Sequence, residues 1–278
     1  MKPSTRVAII LDKSSSMGND HSNPTRVKET VEGYNKQIRE IVANAKEQDV
    51  KVSLFTFNEQ VYEHLIDVPG QEMVEATVES YTPGGWTAWY DGLGYAIEKM
   101  QDLGKEDPEC SFLIITISDG QENKSSHYNA NTLRAKIDEC KATNHWTFTF
   151  MGCSDSDIKE FRETAGVGAA NAVQWSNKSS GDTEKAMRYA SAKLGTYFDK
   201  RARGTTNDED YWIPVGASGP MGPNGCCGPA GSPGAYGDQG VSMNDAAVDI
   251  ELASYNDAPS LNAKLDTFSS GNCATWNK

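Results

Sequence analysis

Short apolar runs alternate along the chain with longer stretches of helical periodicity, and this alternation constrains the fold more than any other feature. Residues 7–11, 111–117 and 146–152 are rich in β-branched or aromatic side chains, as in strands that are buried on both faces of a sheet. Alternating strands and helices imply parallel strands, right-handed crossovers and helices on both faces. We therefore predict an α/β fold with a doubly wound, mostly parallel, six-stranded sheet.

The remaining elements follow from the same periodicities and from the turn residues between them. Residues 51–58 and 61–66 form two strand patterns separated by the short Glu59-Gln60 turn, which predicts a hairpin at the edge of the sheet. A short strand is expected at residues 172–175. Helices are predicted for residues 25–46, 71–79, 87–103, 130–143, 156–165 and 182–201.

The size and charge of the chain narrow its class. Its 278 residues suffice for one α/β domain with an appendage, and a net charge of −13 argues against nucleic acid as a partner. No apolar stretch is long enough to span a membrane, and the first strand begins too close to Met1 for a signal peptide. We expect synthesis in a cytoplasm and no membrane insertion. The six cysteines lack Cys-x-x-Cys spacing, so reduced thiols are expected rather than a zinc site.

The polar segment Asp12-Lys13-Ser14-Ser15-Ser16-Met17 directly follows the first predicted strand. Oxygen-bearing side chains therefore lie at the carboxyl end of a strand, where open α/β sheets hold their ligands. One carboxylate and two hydroxyls, from Asp12, Ser14 and Ser16, suit a hard cation such as Mg²⁺. Alone, the pattern is more typical of turns and helix caps than of a metal site. Asp119, however, follows the strand at 111–117 and brings a second carboxylate to the same edge.

A third loop completes a recognisable set of motifs. Together with the first segment and Ser118-Asp119-Gly120, the loop Gly84-Gly85-Trp86-Thr87-Ala88-Trp89-Tyr90-Asp91-Gly92-Leu93 resembles the von Willebrand factor type A domain in order and spacing, over residues 5–203. The resemblance implies a metal-ion-dependent adhesion site that binds Mg²⁺, with Mn²⁺ or Ca²⁺ as substitutes. A protein partner would supply an Asp or Glu carboxylate to an open coordination position. The implied ligands, some of them through water, are Asp12, Ser14, Ser16, Thr87 and Asp119.

Other residues of these loops have roles that the resemblance leaves less defined. Asp91 matches the supporting carboxylate of the third motif. We expect it to contact the metal ligands or to brace a loop rather than to bind the metal itself. Trp86 and His21 are candidate partner contacts, although Trp86 is also suited to packing and His21 to a solvated loop. Trp89 and Tyr90 are expected to pack into the domain from the first turn of a helix. A domain that keeps the fold without binding metal is the alternative to the whole site.

Glycine occupies every third position from Gly216 to Gly240. This period predicts a collagen-like Gly-X-Y tract and, because only glycine fits at the axis of three chains, a homotrimer. A solvated linker and a polyglycine-II-like packing remain alternatives. Cys226 and Cys227 resemble cysteines that link collagen chains. Residues 204–215 are expected to form a hinge, and residues 241–278 have no readable role beyond a short helix at 258–268.

Taken together, the patterns favour a non-enzymatic, divalent-metal-dependent binding module on a Gly-X-Y stalk, in a bacteriophage virion or on a bacterial surface. The alternative is a cytoplasmic assembly factor that works beside an AAA+ ATPase. An enzyme is not expected, since the sequence has no phosphate-binding loop, no nucleophile elbow and no His-Glu-x-x-His.

Overall fold

The computed structural model describes residues 2–21, 23–119, 121–175 and 179–212, together with 241–242, 264–265 and 272–273. These residues contain five helices, α1 (Arg26–Asn44), α2 (Trp89–Gly104), α3 (Ala130–Lys141), α4 (Asp155–Ala165) and α5 (Asp182–Ala202). The strands are β1 (Ser4–Asp12), β2 (Asp49–Phe57), β3 (Val61–Pro69), β4 (Glu75–Ala76), β5 (Ser111–Ile117), β6 (Trp146–Gly152), β7 (Ala172–Gln174), β8 (Val241–Ser242), β9 (Lys264–Leu265) and β10 (Asn272–Cys273).

The main sheet has the strand order β10-β3-β2-β1-β5-β6-β7-β8. Strands β2, β1, β5, β6 and β7 are parallel, and β3 pairs antiparallel with β2. The α/β class and the mostly parallel sheet are therefore confirmed. The predicted count of six strands is corrected to eight among the described residues, because β8 and β10, which sequence patterns did not reveal, extend both edges.

The order of the strands reverses between β1 and β5. Chain continuity takes β1 to β2 on one side, whereas β5 lies against β1 on the other. Leu11 and Ile117 are paired at the last step of this register, so both strands end at the same level. A crevice at such a switch point is where open α/β sheets place their ligands.

The sheet separates two apolar cores. Along β1 the side chains alternate: Val7, Ile9 and Leu11 belong to the core under α1 and α5, whereas Ala8 and Ile10 belong to the core under α2, α3 and α4. Burial of each large aliphatic side chain contributes about 1.5–3 kcal/mol. The end of β1, which carries the first polar loop, is therefore fixed from both faces.

The predicted helix at residues 71–79 is wrong. The chain forms 3₁₀ turns at Gly70–Glu72 and Val78–Ser80, with β4 between them. The Asn35 side chain of α1 donates to the Ala76 carbonyl at 3.0 Å and accepts from the Ala76 N–H at 2.8 Å. An amide side chain thus takes both backbone groups that a helix would need, a long-range contact that local periodicity does not reveal.

Residues 205–212, which we predicted to belong to a hinge, lie against the domain instead. Asn171 holds this segment, because its amide donates to the Asp208 carbonyl at 2.7 Å and accepts from the Tyr211 N–H at 3.1 Å. Tyr211 and Trp212 are buried. A hinge would expose these aromatic rings, so the α/β domain extends at least to Trp212.

The Gly-X-Y tract, residues 216–240, lies outside the described residues. Within the predicted helix at 258–268, the described Lys264 and Leu265 form β9, which pairs with β4. These two residues are therefore strand rather than helix. None of the helices described has the length and apolar character needed to cross a membrane.

Candidate metal site at the carboxyl edge of the sheet

Asp12 and Asp119 lie side by side where β1 and β5 end. Asp12 is the last residue of β1, and Asp119 comes two residues after β5. The Asp12 residue is fully buried and the Asp119 side chain has no exposed surface. Two buried carboxylates at adjacent strand ends are electrostatically costly unless a cation or hydrogen-bond donors compensate them.

A continuous chain of hydrogen bonds joins four of the five predicted ligands. The Ser14 N–H donates to Asp12 Oδ1 at 2.7 Å, and the Ser14 and Ser16 hydroxyls share a hydrogen bond of 3.0 Å. The Ser16 hydroxyl donates to Asp119 Oδ1 at 2.5 Å. Asp12, Ser14, Ser16 and Asp119 therefore direct their oxygens toward one small region.

Two neutral groups hold Asp12. The Ser118 hydroxyl donates to Asp12 Oδ2 at 2.6 Å, and the Tyr81 hydroxyl donates to the Asp12 carbonyl at 2.5 Å. Burial, reinforced by the negative charge of Asp119, nevertheless raises the pKa of Asp12 to about 7, and the hydrogen bonds from Ser118 and Ser14 oppose this only partly. The hydrogen bonds fix the carboxylate without neutralising it, which is the condition under which a bound cation stabilises a site most.

Thr87 lies on a loop that is tied to the first one by backbone hydrogen bonds. The Gly84 N–H donates to the Lys13 carbonyl at 2.8 Å, and the Ser15 N–H donates to the Gly85 carbonyl at 3.1 Å. Asn123 accepts from the Thr87 N–H at 2.9 Å. Thr87 is buried, and its loop is held between the other two loops.

Asp91 is on the first turn of α2, away from the hydrogen-bond chain. Its carboxylate accepts from the backbone N–H groups of Ser126, His127 and Tyr128 at 2.9, 3.0 and 2.7 Å. It thereby fixes the loop that follows Asn123. Asp91 therefore supports this loop. Its connection to Thr87 is indirect, because the same loop contains Asn123, whose backbone N–H donates to the Thr87 carbonyl at 3.0 Å.

Arg26, the first residue of α1, is the cation beside this cluster. Its Nη1 lies 3.6 Å from Asp119 Oδ2 and donates to the Ser16 carbonyl, while its Nη2 donates to Asp20 Oδ2 at 3.0 Å. The Arg26 side chain is only 5% exposed. Sequence reasoning missed Arg26, and also Tyr81 and Ser118, because nothing local marks them; only the position of Ser118 next to Asp119 gave a signal.

The rim of the site is more varied. Trp86 is 59% exposed and stands on a turn in which Gly85 has a φ of +84°, a conformation that favours glycine. His21 is exposed as well. Trp89 is buried among Phe150 and Phe161, and the neighbouring tyrosine, Tyr90, is half-buried.

The residues fit a hard divalent cation better than a soft one. Two carboxylates and three hydroxyls are the donor types that Mg²⁺, Mn²⁺ and Ca²⁺ take, with water completing the shell. Among the described residues there is no group of three or more His, Cys, Asp or Glu suited to a metal ion, so a zinc-type site of imidazoles and thiolates is not formed here.

The oxygen cluster lies at the switch point of the sheet, the position at which open α/β domains hold their ligands. Residues 7–194 match the family model of the von Willebrand factor type A domain, and the chain belongs to this family. A search of the curated proteins finds no match.

Solved structures with similar folds include a mussel byssus protein and a pilus tip protein. The proximal thread matrix protein 1 of the mussel byssus is 16% identical over 74% of this chain and 47% of its own, with a TM-score of 0.47. The structure of the same protein with a zinc-occupied metal-ion-dependent adhesion site is 13% identical over 73% of this chain and 46% of its own, with a TM-score of 0.42. The von Willebrand factor domain of the type V pilus tip protein Mfa5 from Porphyromonas gingivalis is 10% identical over 74% of this chain and 97% of its own, with a TM-score of 0.48.

This chain spans about half of the mussel protein. At such identities and TM-scores, neither a ligand nor a partner carries over from those proteins to this chain.

Proposed function

We propose that the chain is a divalent-cation-dependent protein-binding module that holds Mg²⁺ with Asp12, Ser14, Ser16, Thr87 and Asp119. The hydrogen-bond chain from Asp12 through the two serines to Asp119 is the observation that carries the proposal. A bound Mg²⁺ would supply a positive centre that accepts an oxygen ligand from another molecule. The chain's own contribution is to hold the oxygens in place, since Tyr81 and Ser118 fix Asp12 from behind.

Titration calorimetry with Mg²⁺ and with Mn²⁺ tests the metal site. We expect binding by the wild type and a loss of at least about a hundredfold in affinity for Asp119→Ala, because the variant lacks one of the two carboxylates that attract and hold the cation. Asp102→Ala is a matched control, since Asp102 is an acidic residue at the opposite end of the sheet, 2.7 Å from Lys105. Equal binding by the wild type and Asp119→Ala would refute the assignment.

The partner is proposed to offer an Asp or Glu carboxylate to the cation. Short synthetic peptides with a central Asp, compared with the same peptides carrying Asn, serve as probes. The Asp peptides should bind in Mg²⁺ and fail to bind in EDTA or to Asp12→Ala. Binding that is indifferent to the chelator would assign partner recognition to another surface.

Trp86 is proposed as an aromatic contact for that partner. Because Gly84 and Gly85 are bonded to the first loop, the indole is presented without loop ordering on binding, which favours an energetic hot spot. Trp86→Ala should weaken binding of a protein partner by about 2 kcal/mol and leave Mg²⁺ affinity unchanged. Val78, the other large apolar residue exposed among those described, at 40%, gives the control Val78→Ala.

The homotrimer and the place in a virion stay predictions. The backbone N–H of Trp212 donates to the Ala170 carbonyl at 2.9 Å, and Val241 pairs with Val173. The segments before and after the Gly-X-Y tract therefore contact positions of the domain that are only three residues apart in the sequence. A three-chain rod of that length would separate its ends by roughly 75 Å. Trimerisation therefore requires β8 to detach or to come from another chain. Sedimentation of the full chain and of Gly228→Ala distinguishes a trimer from a monomer.

A further inference from the structure

The guanidinium of Arg26 occupies a position that no motif assigns. It is buried at the start of α1 and touches three groups around the candidate site: Asp119, the Ser16 carbonyl and Asp20. Two of these, Asp119 and Ser16, belong to the hydrogen-bond chain. A buried arginine with two carboxylates and a carbonyl within reach is held rigidly, because its fork of N–H donors matches those acceptors.

The contacts of Asp119 show which charges lie close to the Arg26 guanidinium. One carboxylate oxygen accepts from the Ser16 hydroxyl at 2.5 Å, and the other lies 3.6 Å from Arg26 Nη1. The surrounding acids are Asp12, which is fully buried, and Asp20, whose side chain is 49% exposed. Arg26 thus supplies positive charge inside a cluster that is otherwise acidic, without any metal.

We infer that Arg26 is an internal counter-ion and positioning residue: it holds Asp119 and the Ser16 turn in place in the metal-free protein and, by its charge, lowers the affinity of the site for divalent cations. This inference rests on the proposed function of the site. Two effects of removing the guanidinium oppose each other, since the loop loses a support while the carboxylates gain attraction for a cation. The charge effect should win, because the Ser16 and Ser118 hydrogen bonds remain and a doubly charged ion doubles the Coulomb term.

The test compares Arg26→Gln and Arg26→Lys with the wild type in calorimetry and in thermal melting. In EDTA, Arg26→Gln should melt several degrees below the wild type, and Arg26→Lys should lie between them. Mg²⁺ should bind Arg26→Gln about tenfold more tightly than the wild type and raise its melting temperature by a larger step. Arg26→Lys keeps the charge and should keep an affinity close to that of the wild type.

Arg6 provides a matched control. It lies on the same strand as Asp12 but near the opposite end, its side chain is also 5% exposed, and its Nε is 2.8 Å from Asp67. Arg6→Gln should therefore destabilise the protein equally with and without Mg²⁺ and leave Mg²⁺ affinity unchanged. A change in affinity for Arg6→Gln would show that any buried arginine has the effect, which overturns the specific role of Arg26.

Asp20→Asn keeps the inference testable should Arg26→Gln not fold. Asp20 is a surface partner of Arg26, and its neutralisation leaves the guanidinium charge less compensated, so Mg²⁺ affinity should fall several-fold. Unchanged or weaker binding by Arg26→Gln, or unchanged binding by Asp20→Asn, overturns the counter-ion role alone. A wild type that binds neither Mg²⁺ nor Mn²⁺ overturns the proposed function itself.

Discussion

The carboxylates at the two ends of the sheet have different surroundings. At the amino edge a cavity of about 720 Å³ lies between the ends of α2 and α3, and there Asp102 lies 2.7 Å from Lys105. The floor of this cavity includes Phe112 and Trp146, stacked with ring centroids 4.1 Å apart. At the carboxyl edge, hydroxyls rather than lysines surround Asp12. The same sheet thus has one end where exposed carboxylates pair with lysines and another where a buried carboxylate is held by neutral donors, and the loops rather than the strands decide which is which.

The largest expected contrast between the two edges concerns thiol reactivity. Cys110 and Cys140 line the amino edge, where burial raises the pKa of both thiols and, together with the charge of Glu139, brings that of Cys140 to about 12, against an ordinary 9.0. The thiolate fraction of Cys140 at neutral pH is therefore about a thousandfold lower than for an ordinary thiol. Cys273, near the carboxyl edge on β10, is exposed.

Alkylation with iodoacetamide at pH 8, followed by peptide mass spectrometry, measures this contrast. Cys273 should be modified in the native protein, and Cys110 and Cys140 only after denaturant is added. As pH rises toward 12, the reactivity of Cys140 should increase with its thiolate fraction. Rapid native modification of Cys140 would show that the amino edge opens in solution.

Removal of metal should affect the carboxyl edge alone. At a Mg²⁺ concentration a hundred times its Kd, binding stabilises the folded state by about 2.7 kcal/mol, which is about 5–10 °C in melting temperature for a domain of this size. In hydrogen exchange, the loops after β1 and β5 should lose protection in EDTA, while the ends of α2 and α3 stay unchanged. Loss of protection at both edges would mean that the metal stabilises the fold globally.

A smaller effect should separate the two serines at the ends of β5, Ser111 at its first position and Ser118 directly after its last. The Ser118 hydroxyl holds Asp12 Oδ2 at 2.6 Å, so Ser118→Ala should weaken Mg²⁺ binding about tenfold, as for other residues that orient a ligand. At the other end, Ser111 is buried and its hydroxyl has no hydrogen-bond partner among the described residues. Ser111→Ala should leave Mg²⁺ affinity within about twofold. Equal effects of the two variants would remove the distinction between the edges.

Much of the fold was predictable because its signals are local. Strands β5 and β6 have the predicted bounds, since a short apolar run bounded by turn residues leaves little choice of ends. The hairpin of β2 and β3 also follows from a local turn. In contrast, β4 depends on Asn35, whose side chain bonds Ala76 across 41 residues, and sequence periodicity carries no trace of such a contact.

The candidate site also has a part that the sequence predicts and a part that it does not. The motif residues were identifiable because each belongs to a spaced pattern at the end of a predicted strand or at the start of a predicted helix. Arg26 and Tyr81 reach Asp119 and Asp12 only in the folded chain, across many residues. Hence the oxygens of the site were predictable, while the groups that fix their positions and balance their charge were not.

The short strands β8 and β10 also bear on how the protein assembles. Val241 and Ser242 pair with β7, and Asn272 and Cys273 pair with β3, so both outer strands of the sheet are covered by the same chain at these residues. An uncovered outer strand is a template for another chain and a starting point for fibre growth. With these positions occupied, a partner can add a strand to β7 or β3 there only after displacing the tail, and the strands that now form the edges, β8 and β10, have only two residues each.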